Sequence, residues 1–573
     1  MGRLRDGVAQ IAFGNPIYKL TLGGRAPTAL SAVPPDPWPG DAGEGSAILA
    51  GVFRFGGQAA AADAHGAPNW RAGSAVWQDA LHGFDWLRDL RAVGGDTARR
   101  RARSLVLSWL DHNGGWNAQT WAPEVLGARI AAWIGLHDFY CASADDEFRA
   151  AVFDSLARQV KHLTRVVPGA LDGKALVTAA KGLVYGGFCL PEHERVGQDA
   201  LKLLERELPR QILPDGGHIE RCPSVQLRIL RDLIDMRSVL RTARADVPEA
   251  LQHAIDRMTP ALRFFRHGDG GLALFNGGRE EDAALVDTVL AQADARGRPL
   301  KSAPHTGFER LIAGRTMVLM DTGVPPVTGL DATAHAGTLS LEMSVGKERL
   351  IVNCGAHPVK TGPWRAALAG TAAHSTVVLA ETNSSEVIEE GGLGRRPSHV
   401  GCERQENDGA VLVVATHNGY SRNFGYLHRR RVYLAENGED LRGEDMLEPV
   451  IGATPEPRPF TIRFHLHPAV QATPVQGGQV QLKLPSGAAW RRLRASGGTL
   501  ELEESIYLGS GDEPRRTTQI AISGHTGPAI KTVKWALRRE RKGGKPRASA
   551  ADRPWEYGSV PVLRLCGVFA LRP

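Results

Sequence analysis

From about Ser74 the apolar positions of this chain recur at every third or fourth residue. Trp77, Leu81, Phe84, Leu87 and Leu90 form the first such stripe, the spacing expected of one buried face of a helix. Comparable stripes follow over about 96–112, 123–141, 145–167, 174–190, 193–213, 224–245 and 248–266. Gly-, Pro- or Asp-rich breaks such as Asn113-Gly-Gly, Pro168-Gly169 and Pro214-Asp-Gly-Gly separate them. Successive helices joined by short connections pack as antiparallel neighbours, so this stretch predicts a solenoid or a closed or partly closed α/α toroid. Near residue 311 the period changes. Arg315–Asp321, Thr338–Ser344, Glu348–Asn353, Ser375–Leu379, Ala410–Ala415, Arg429–Leu434, Phe460–His467, Val480–Leu484, Thr499–Tyr507 and Thr518–Ser523 are short runs rich in Val, Ile, Leu and Thr. Turn residues bound most of them, and no helical pattern intervenes, which predicts antiparallel sheets packed as a sandwich or barrel. The expected division is an extended, Pro- and Gly-rich wrapping segment over 1–73, a helical domain over 74–310 and an antiparallel β domain over 311–573.

Composition changes this picture little. A 42% hydrophobic and 23% charged chain of 573 residues is ordinary globular material, long enough for two large domains. The net charge of +7 suggests a polyanion as partner until its position is considered. Residues 531–550 hold eight Lys or Arg against Glu540 alone, and the rest of the chain has 61 charges of each sign. That basic, apolar-poor window reads as a loop or tail, with structure resuming over Trp555–Leu571, and it is the one stretch that suggests nucleic acid. Cysteines 141, 189, 222, 354, 402 and 566 are scattered singly, as reduced, packed thiols rather than a disulfide or zinc framework. The N-terminus has no apolar run or cleavage site of a secretory signal, and no stretch reaches membrane-span length. The expectation is a cytoplasmic protein, with the cell envelope or periplasm as the alternative.

Nucleotide-loop, zincin and serine-hydrolase motifs are missing from the sequence, which leaves three stretches dense in polar residues. The first is Leu213-Pro-Asp-Gly-Gly-His-Ile-Glu-Arg-Cys-Pro-Ser-Val-Gln-Leu. His218, Arg221 and Gln226 there sit at the mouth of a helix pair, where an anion is well received; an Asp-Gly turn and a Ser224 cap explain the same residues structurally. The second, Arg266-His-Gly-Asp-Gly-Gly-Leu-Ala-Leu-Phe-Asn-Gly-Gly, combines His267, Asp269 and Asn276 with glycines that suit either a ligand or a tight junction. The third comprises Asp331-Ala-Thr-Ala-His-Ala-Gly-Thr-Leu-Ser-Leu-Glu, Leu350-Ile-Val-Asn-Cys-Gly, Trp364-Arg365 and Thr371-Ala-Ala-His-Ser-Thr. His335, His374 and Arg365 in it are either strand-end structural groups or a site. His465 and His467 share one strand face and read as structural, since no third metal ligand can be named beside them.

These stretches, with Ala334-His-Ala-Gly-Thr-Leu-Ser-Leu-Glu and Ala373-His-Ser-Thr-Val-Val, resemble the heparinase II/III family of polysaccharide lyases, in a bacterial branch with substituted catalytic positions. The resemblance implies an α+β multidomain fold: an N-terminal incomplete α/α toroid followed by a C-terminal antiparallel β-sandwich domain. It also implies β-elimination across the glycosidic bond of an acidic, uronic-acid-containing polysaccharide or oligosaccharide in the cleft between the domains. Such chemistry needs a group to neutralise the carboxylate as it gains enolate character, a base for the C5 proton and an acid for the leaving oxygen.

In the family an Asn, often Asn-His, starts a toroid helix and meets the carboxylate; here Lys174 and Ala175 follow Gly173. The family's acid/base Tyr follows Ser-Pro-x; here Cys222-Pro-Ser leads to Val225. The His-x-His-x-Asp-Ala-Gly stretch becomes Asp331-Ala-Thr-Ala-His335-Ala-Gly, with its one His in the place of the Asp. Asn353 stands where some relatives carry a metal-ligating Asp, while His374 keeps its match; the structural zinc of those relatives is not expected here, and no cofactor is. Two readings follow from the resemblance. Either the site is rebuilt, with Lys174, Arg221, Gln226, Asn276, Arg365 and His374 binding substrate and His218 and His335 moving protons, the former held neutral by Lys174. Or the chain is a catalytically inactive glycan-binding relative. A scaffold or interaction role is the third possibility.

Overall fold

Polar caps and glycine stops divide the helical half where the apolar stripes suggest. In the computed structural model, which describes residues 11–539 apart from 360 and 488, helices span Ala75–Gly83, Leu87–Val93, Gly95–Asn113, Pro123–Gly135, Asp146–Val166, Gly173–Cys189, Glu194–Gln211, Pro223–Thr242 and Glu249–Phe264. Ser74, Asp145 and Asp172 cap three of them by accepting a backbone N–H. Trp77, Leu81, Phe84, Leu87 and Leu90 are all buried, although Phe84 adopts a left-handed backbone that breaks the first stripe into two helices. Gly173–Cys189 is buried along nearly its whole length and packs against Pro123–Gly135, Glu194–Gln211 and Pro223–Thr242. Gly182 and Gly127 make the closest of these contacts possible, since a Cβ on Gly182 would stand 2.5 Å from the Gly127 Cα. The pairs form an incomplete α/α toroid.

The N-terminal stretch is less extended than its proline content suggests. Helices Pro16–Leu22 and Ala42–Leu49, capped by Asn15 and Asp41, and a hairpin of Val52–Phe55 with Gln58–Ala61 interrupt it. The intervening chain is bound into the toroid by buried polar groups. The Asp36 carboxylate pairs with Arg88 at 2.7 Å and Arg91 at 2.9 Å, and Trp38 donates its indole N–H to Asp235 at 2.7 Å. A further helix, Ala283–Ala293, follows the toroid; the sequence reading omitted it because its apolar stripe is short.

The C-terminal half is two antiparallel sheets. One runs, neighbour to neighbour, through Thr499–Tyr507, Arg515–His525, Pro459–Leu466, Glu348–Val352, Leu341–Val345, Thr316–Asp321, Phe308–Ala313 and Ser302–Ala303, with Val377–Leu379 also paired to Pro459–Leu466. The other runs through Gln471–Val475, Gln479–Lys483, Ala489–Ser496, Lys531–Arg539, Asp440–Pro449, Tyr426–Leu434, Ala410–His417 and Val400–Asn407. Their facing side chains, among them Leu341, Ile462, Val413, Leu434 and Trp535, form one core.

Lys531–Arg539 corrects the expectation of a loop or tail over 531–550. Val533, Trp535 and Leu537 alternate into the core, while Lys534 pairs with Glu444 and Arg538 with Asp440 on the adjoining strand. These cations are answered within the sheet, which removes the reason for assigning this part of the window to nucleic acid. The rest of the window and the expected structure over Trp555–Leu571 lie outside the described residues. Among the described residues no helix is long and apolar enough to cross a membrane.

Polar groups close the seam between the halves. From the loop after Glu194–Gln211, Asp215 accepts the N–H groups of His305 and Thr306, both at 2.8 Å. Arg221, in a left-handed backbone conformation, sends its guanidinium into the β domain. There it donates to the carbonyls of Thr306, Gly307 and Val324, pairs with Asp321 at 2.5 Å and lies over the Phe308 ring. Removing one partner of such a buried pair strands the other, at a cost of about 3–5 kcal/mol. Arg221→Ala is therefore expected to lower stability to chemical denaturation by that order. Arg221→Lys should recover little of it, because one ammonium cannot serve four acceptors in a plane.

Candidate functional site

Besides a depression of about 620 Å³ bordered by His267 and Asp269 of the second stretch, two depressions bear on the residues expected to bind or act on substrate. The larger of these two, about 480 Å³, opens on the toroid and is bordered by Lys174, Arg228, Arg231, Asp85, Glu124 and Trp86. Lys174 is half-buried at the start of Gly173–Cys189. Its backbone N–H donates to Glu220 at 2.9 Å; Gly173 precedes it at φ +54°, where a Cβ would strike the Glu220 carboxylate at 2.5 Å. The cations here are largely matched: Arg88 and Arg231 pair with Asp85, and Arg228 with Glu124. No His or Tyr is among the described residues lining this cleft.

The residues expected to supply proton transfer lie elsewhere. Val225, at the position of the family Tyr, is core. His218 is 1% exposed; its ring approaches Gln211 at 3.3 Å and its backbone N–H donates to Gln226. Burial, aided by the charge of Lys174, lowers its pKa to about 3, so it is neutral as expected but sealed from both depressions. Gln226 is engaged as fully, donating to the carbonyls of Gly216 and Met258. Arg221 is committed to the seam, and Asn276 donates to its carbonyl at 3.1 Å. His267 is held by Ser344 and Glu342, both at 3.0 Å, and Asp269 by Arg349. The first two polar stretches are thus the domain junction. The substrate-contact role expected of Arg221, Gln226 and Asn276, and the proton-shuttle role expected of His218, have no open geometry here.

Three expected residues do come together. His335, His374 and Arg365 lie in the third stretch, where His335 and Arg365 border a pocket of about 130 Å³ with Thr333, Arg279 and His357. The His335 backbone N–H donates to Asn276, which ties this pocket to the Arg221 seam. His374 Nδ1 lies 2.8 Å from the Gly370 carbonyl. A carbonyl only accepts, so the proton is on Nδ1. Burial lowers the His374 pKa to about 4, which leaves Nε2 as an acceptor 3.1 Å from His335 Nδ1. His335, held neutral by burial, by the adjoining His374 and by the Arg365 charge, then donates from Nδ1 and keeps a lone pair on Nε2. Arg365 is 5% exposed, and burial lowers its pKa against the opposing charge of Asp331.

The zinc of some family members does not fit this donor set. Asn353 is a neutral amide that receives the Ser375 N–H and donates toward Leu274 and Glu342, and the free nitrogen of His374 is taken by His335. His465 is engaged with Ser505 and the Ala372 carbonyl.

Comparison with known proteins agrees with the architecture. The family model for the heparinase II/III N-terminus matches residues 74–295, and that for the heparinase II/III-like C-terminal region matches 295–545. A curated relative, FtsZ-localized protein C from Caulobacter vibrioides, is 34% identical over 554 residues, covering 92% of this chain and 93% of its own. The chain belongs to the heparinase II/III family. A crystal structure of heparinase III superposes with a TM-score of 0.70 at 14% identity, covering 87% of this chain and 84% of that one. The heparan sulfate lyase HepC from Pedobacter heparinus gives 0.58 at 14% identity, covering 88% and 83%. At such identity these establish the heparinase fold, toroid plus β domain, and no more.

The cleft residues Arg228 and Arg231 escaped the sequence reading. Their signal was available: two arginines three residues apart, hence on one helix face, within two turns of the Val225 position. Thr333 escaped because a lone Thr carries none.

The buried imidazoles set a pH dependence. Native His374 titrates near 4, but the unfolded chain's His near 6.5, so between those values the unfolded state binds more protons. Its contribution to stability is present above about pH 6.5 and is lost as pH falls toward 4. Denaturation midpoints measured from about pH 7 to 4 should decline, with a shallower decline in His374→Asn.

Proposed function

We propose that this chain is a non-eliminating member of the heparinase II/III family, a binding protein that acts at the site of cell division. The observation that carries the reading is the toroid cleft without a Tyr or His on its described lining. Elimination needs a proton donor and acceptor within hydrogen-bond reach of the sugar, each contributing roughly 10²–10⁴-fold. Val225 and Ala175 offer neither, His218 is sealed, and His335 lies at a different pocket. A polyanion would also meet Arg228 and Arg231 already paired with carboxylates. Lys174 is the cleft cation for which the described residues supply no ion pair. A relative that covers most of the chain is named for its localisation with FtsZ, and that supports a role through association at the division site.

A second reading has one observation in its favour. His335 keeps a free basic nitrogen beside Arg365, the combination a rebuilt elimination site would use on an acidic glycan. Incubation with a panel of uronic-acid polysaccharides decides between the two, read by the ultraviolet absorbance of the unsaturated product. No rise is expected, and a fluorescent fusion should follow FtsZ through the division cycle. A rise on any glycan that disappears in His335→Ala would overturn the binding reading in favour of elimination. A fusion distributed independently of FtsZ would remove the division role.

A further inference from the structure

Three polar groups without partners among the described residues border the pocket of about 130 Å³ between the toroid's last loop and the β domain. Arg365 Nη2 is shared among the carbonyls of Ala332, Ala334 and Gly392 at 3.4, 3.2 and 3.5 Å, all long. Its Nη1 is buried with no hydrogen-bond partner among the described residues, and so is the Thr333 hydroxyl. No carboxylate among the described residues lies within ion-pair distance of this guanidinium. Asp331, the carboxylate whose charge acts on this guanidinium, is held by Arg396 at 2.7 Å and by the N–H groups of Gly329 and Leu393. The third group is the His335 Nε2 lone pair, fixed as an acceptor by the His374–Gly370 chain behind it. Buried polar groups left unmatched are costly, and a guanidinium most of all.

The pattern these groups present is specific: a charged and a neutral donor together with a bare acceptor. A simple carboxylate satisfies the first and repels the second. A carboxylate with a neighbouring hydroxyl satisfies both, its oxygens on Arg365 and Thr333 and its O–H donating to His335. The volume is below the roughly 300 Å³ at which pockets take drug-sized ligands, with room for about four waters. That is the scale of a two- or three-carbon acid or of one edge of a larger molecule.

We propose that the Arg365–Thr333–His335 pocket binds a small hydroxycarboxylate. This does not rest on the division-site reading, because a pocket of this chemistry serves a binding protein or an enzyme equally.

Calorimetric titration of the full chain tests it, with glycolate and lactate as probes, acetate and ethylene glycol as the carboxylate-only and hydroxyl-only controls, and glucuronate as the larger source of the same edge. Saturable binding of glycolate or lactate is expected, with acetate at least about fivefold weaker and ethylene glycol without detectable binding. Arg365→Met should weaken it roughly tenfold or more. Thr333→Val, on a half-buried residue that leaves the seam intact, should weaken it about threefold. Glucuronate binding as tightly would identify the ligand as the edge of a sugar; exclusion of glucuronate would identify a free acid. No saturable binding of either hydroxy acid would overturn the proposal. So would acetate binding as tightly as glycolate, or affinity unchanged in folded Arg365→Met and Thr333→Val, with folding checked by thermal melts.

Discussion

The burial of the Arg221 guanidinium between the two halves is the constraint on which the rest of the structure depends. A charge so deep is costly unless it is well met, and four acceptors from the β domain engage all three nitrogens of this one. Because the acceptors belong to Thr306, Gly307, Asp321 and Val324, the toroid loop that carries Arg221 is fixed against the first strands of the sandwich. The same residue's carbonyl then takes the Asn276 amide, and Asn276 in turn takes the His335 N–H. A continuous chain of hydrogen bonds thus runs from the toroid to the histidine pair, and the small pocket inherits its shape from the domain junction.

That junction also explains how much of the site could be read from sequence. The fold was legible because burial writes itself as periodicity: Trp77 to Leu90 every third or fourth residue, Leu341 to Val345 on a sheet. It failed where charge masked the period, as in Lys531–Arg539, whose alternation of Val533, Trp535 and Leu537 with paired cations is a strand pattern read as a basic tail. The site was harder. Density of polar residues marks both a ligand cleft and a buried seam, and one sequence does not say which groups are already matched. His218, Arg221, Gln226 and Asn276 were singled out for chemistry and turn out to be matched to one another or to backbone. Arg365 and His335 came from the same kind of stretch and are not fully matched, a difference that only the partner accounting of the folded chain exposes.

Substitution at the family's catalytic positions follows the same division. By the family resemblance, Val225 and Ala175 stand where groups that move protons or meet a carboxylate are expected, and the helices that carry them are undisturbed: Val225 is core, and Gly173–Cys189 keeps its Asp172 cap and its close glycine contact with Gly127. The fold's stability lies in apolar burial and in the seam, while the lyase chemistry needs only a few side chains at the cleft. Those few can be lost at little cost to the rest, which is how a chain can retain the toroid and sandwich over most of its length while the arginines of its cleft are paired with carboxylates.

The third stretch shows the reverse process. By the resemblance, Asp331 and Thr333 stand where the family motif has its two histidines, and His335 where it has the Asp. None of the three is idle. Asp331 anchors Arg396 and two backbone N–H groups, His335 is oriented by His374 and Asn276, and Thr333 faces the pocket with Arg365. Had the motif simply decayed, its polar groups would be expected to find partners or give way to apolar ones, because an unmatched buried group costs about 1–3 kcal/mol. Instead two unmatched donors remain beside an imidazole whose tautomer is fixed. Unmatched donors occur elsewhere in the fold, but here they share one pocket with that acceptor, and it is this conjunction on which the proposed ligand at the domain seam rests.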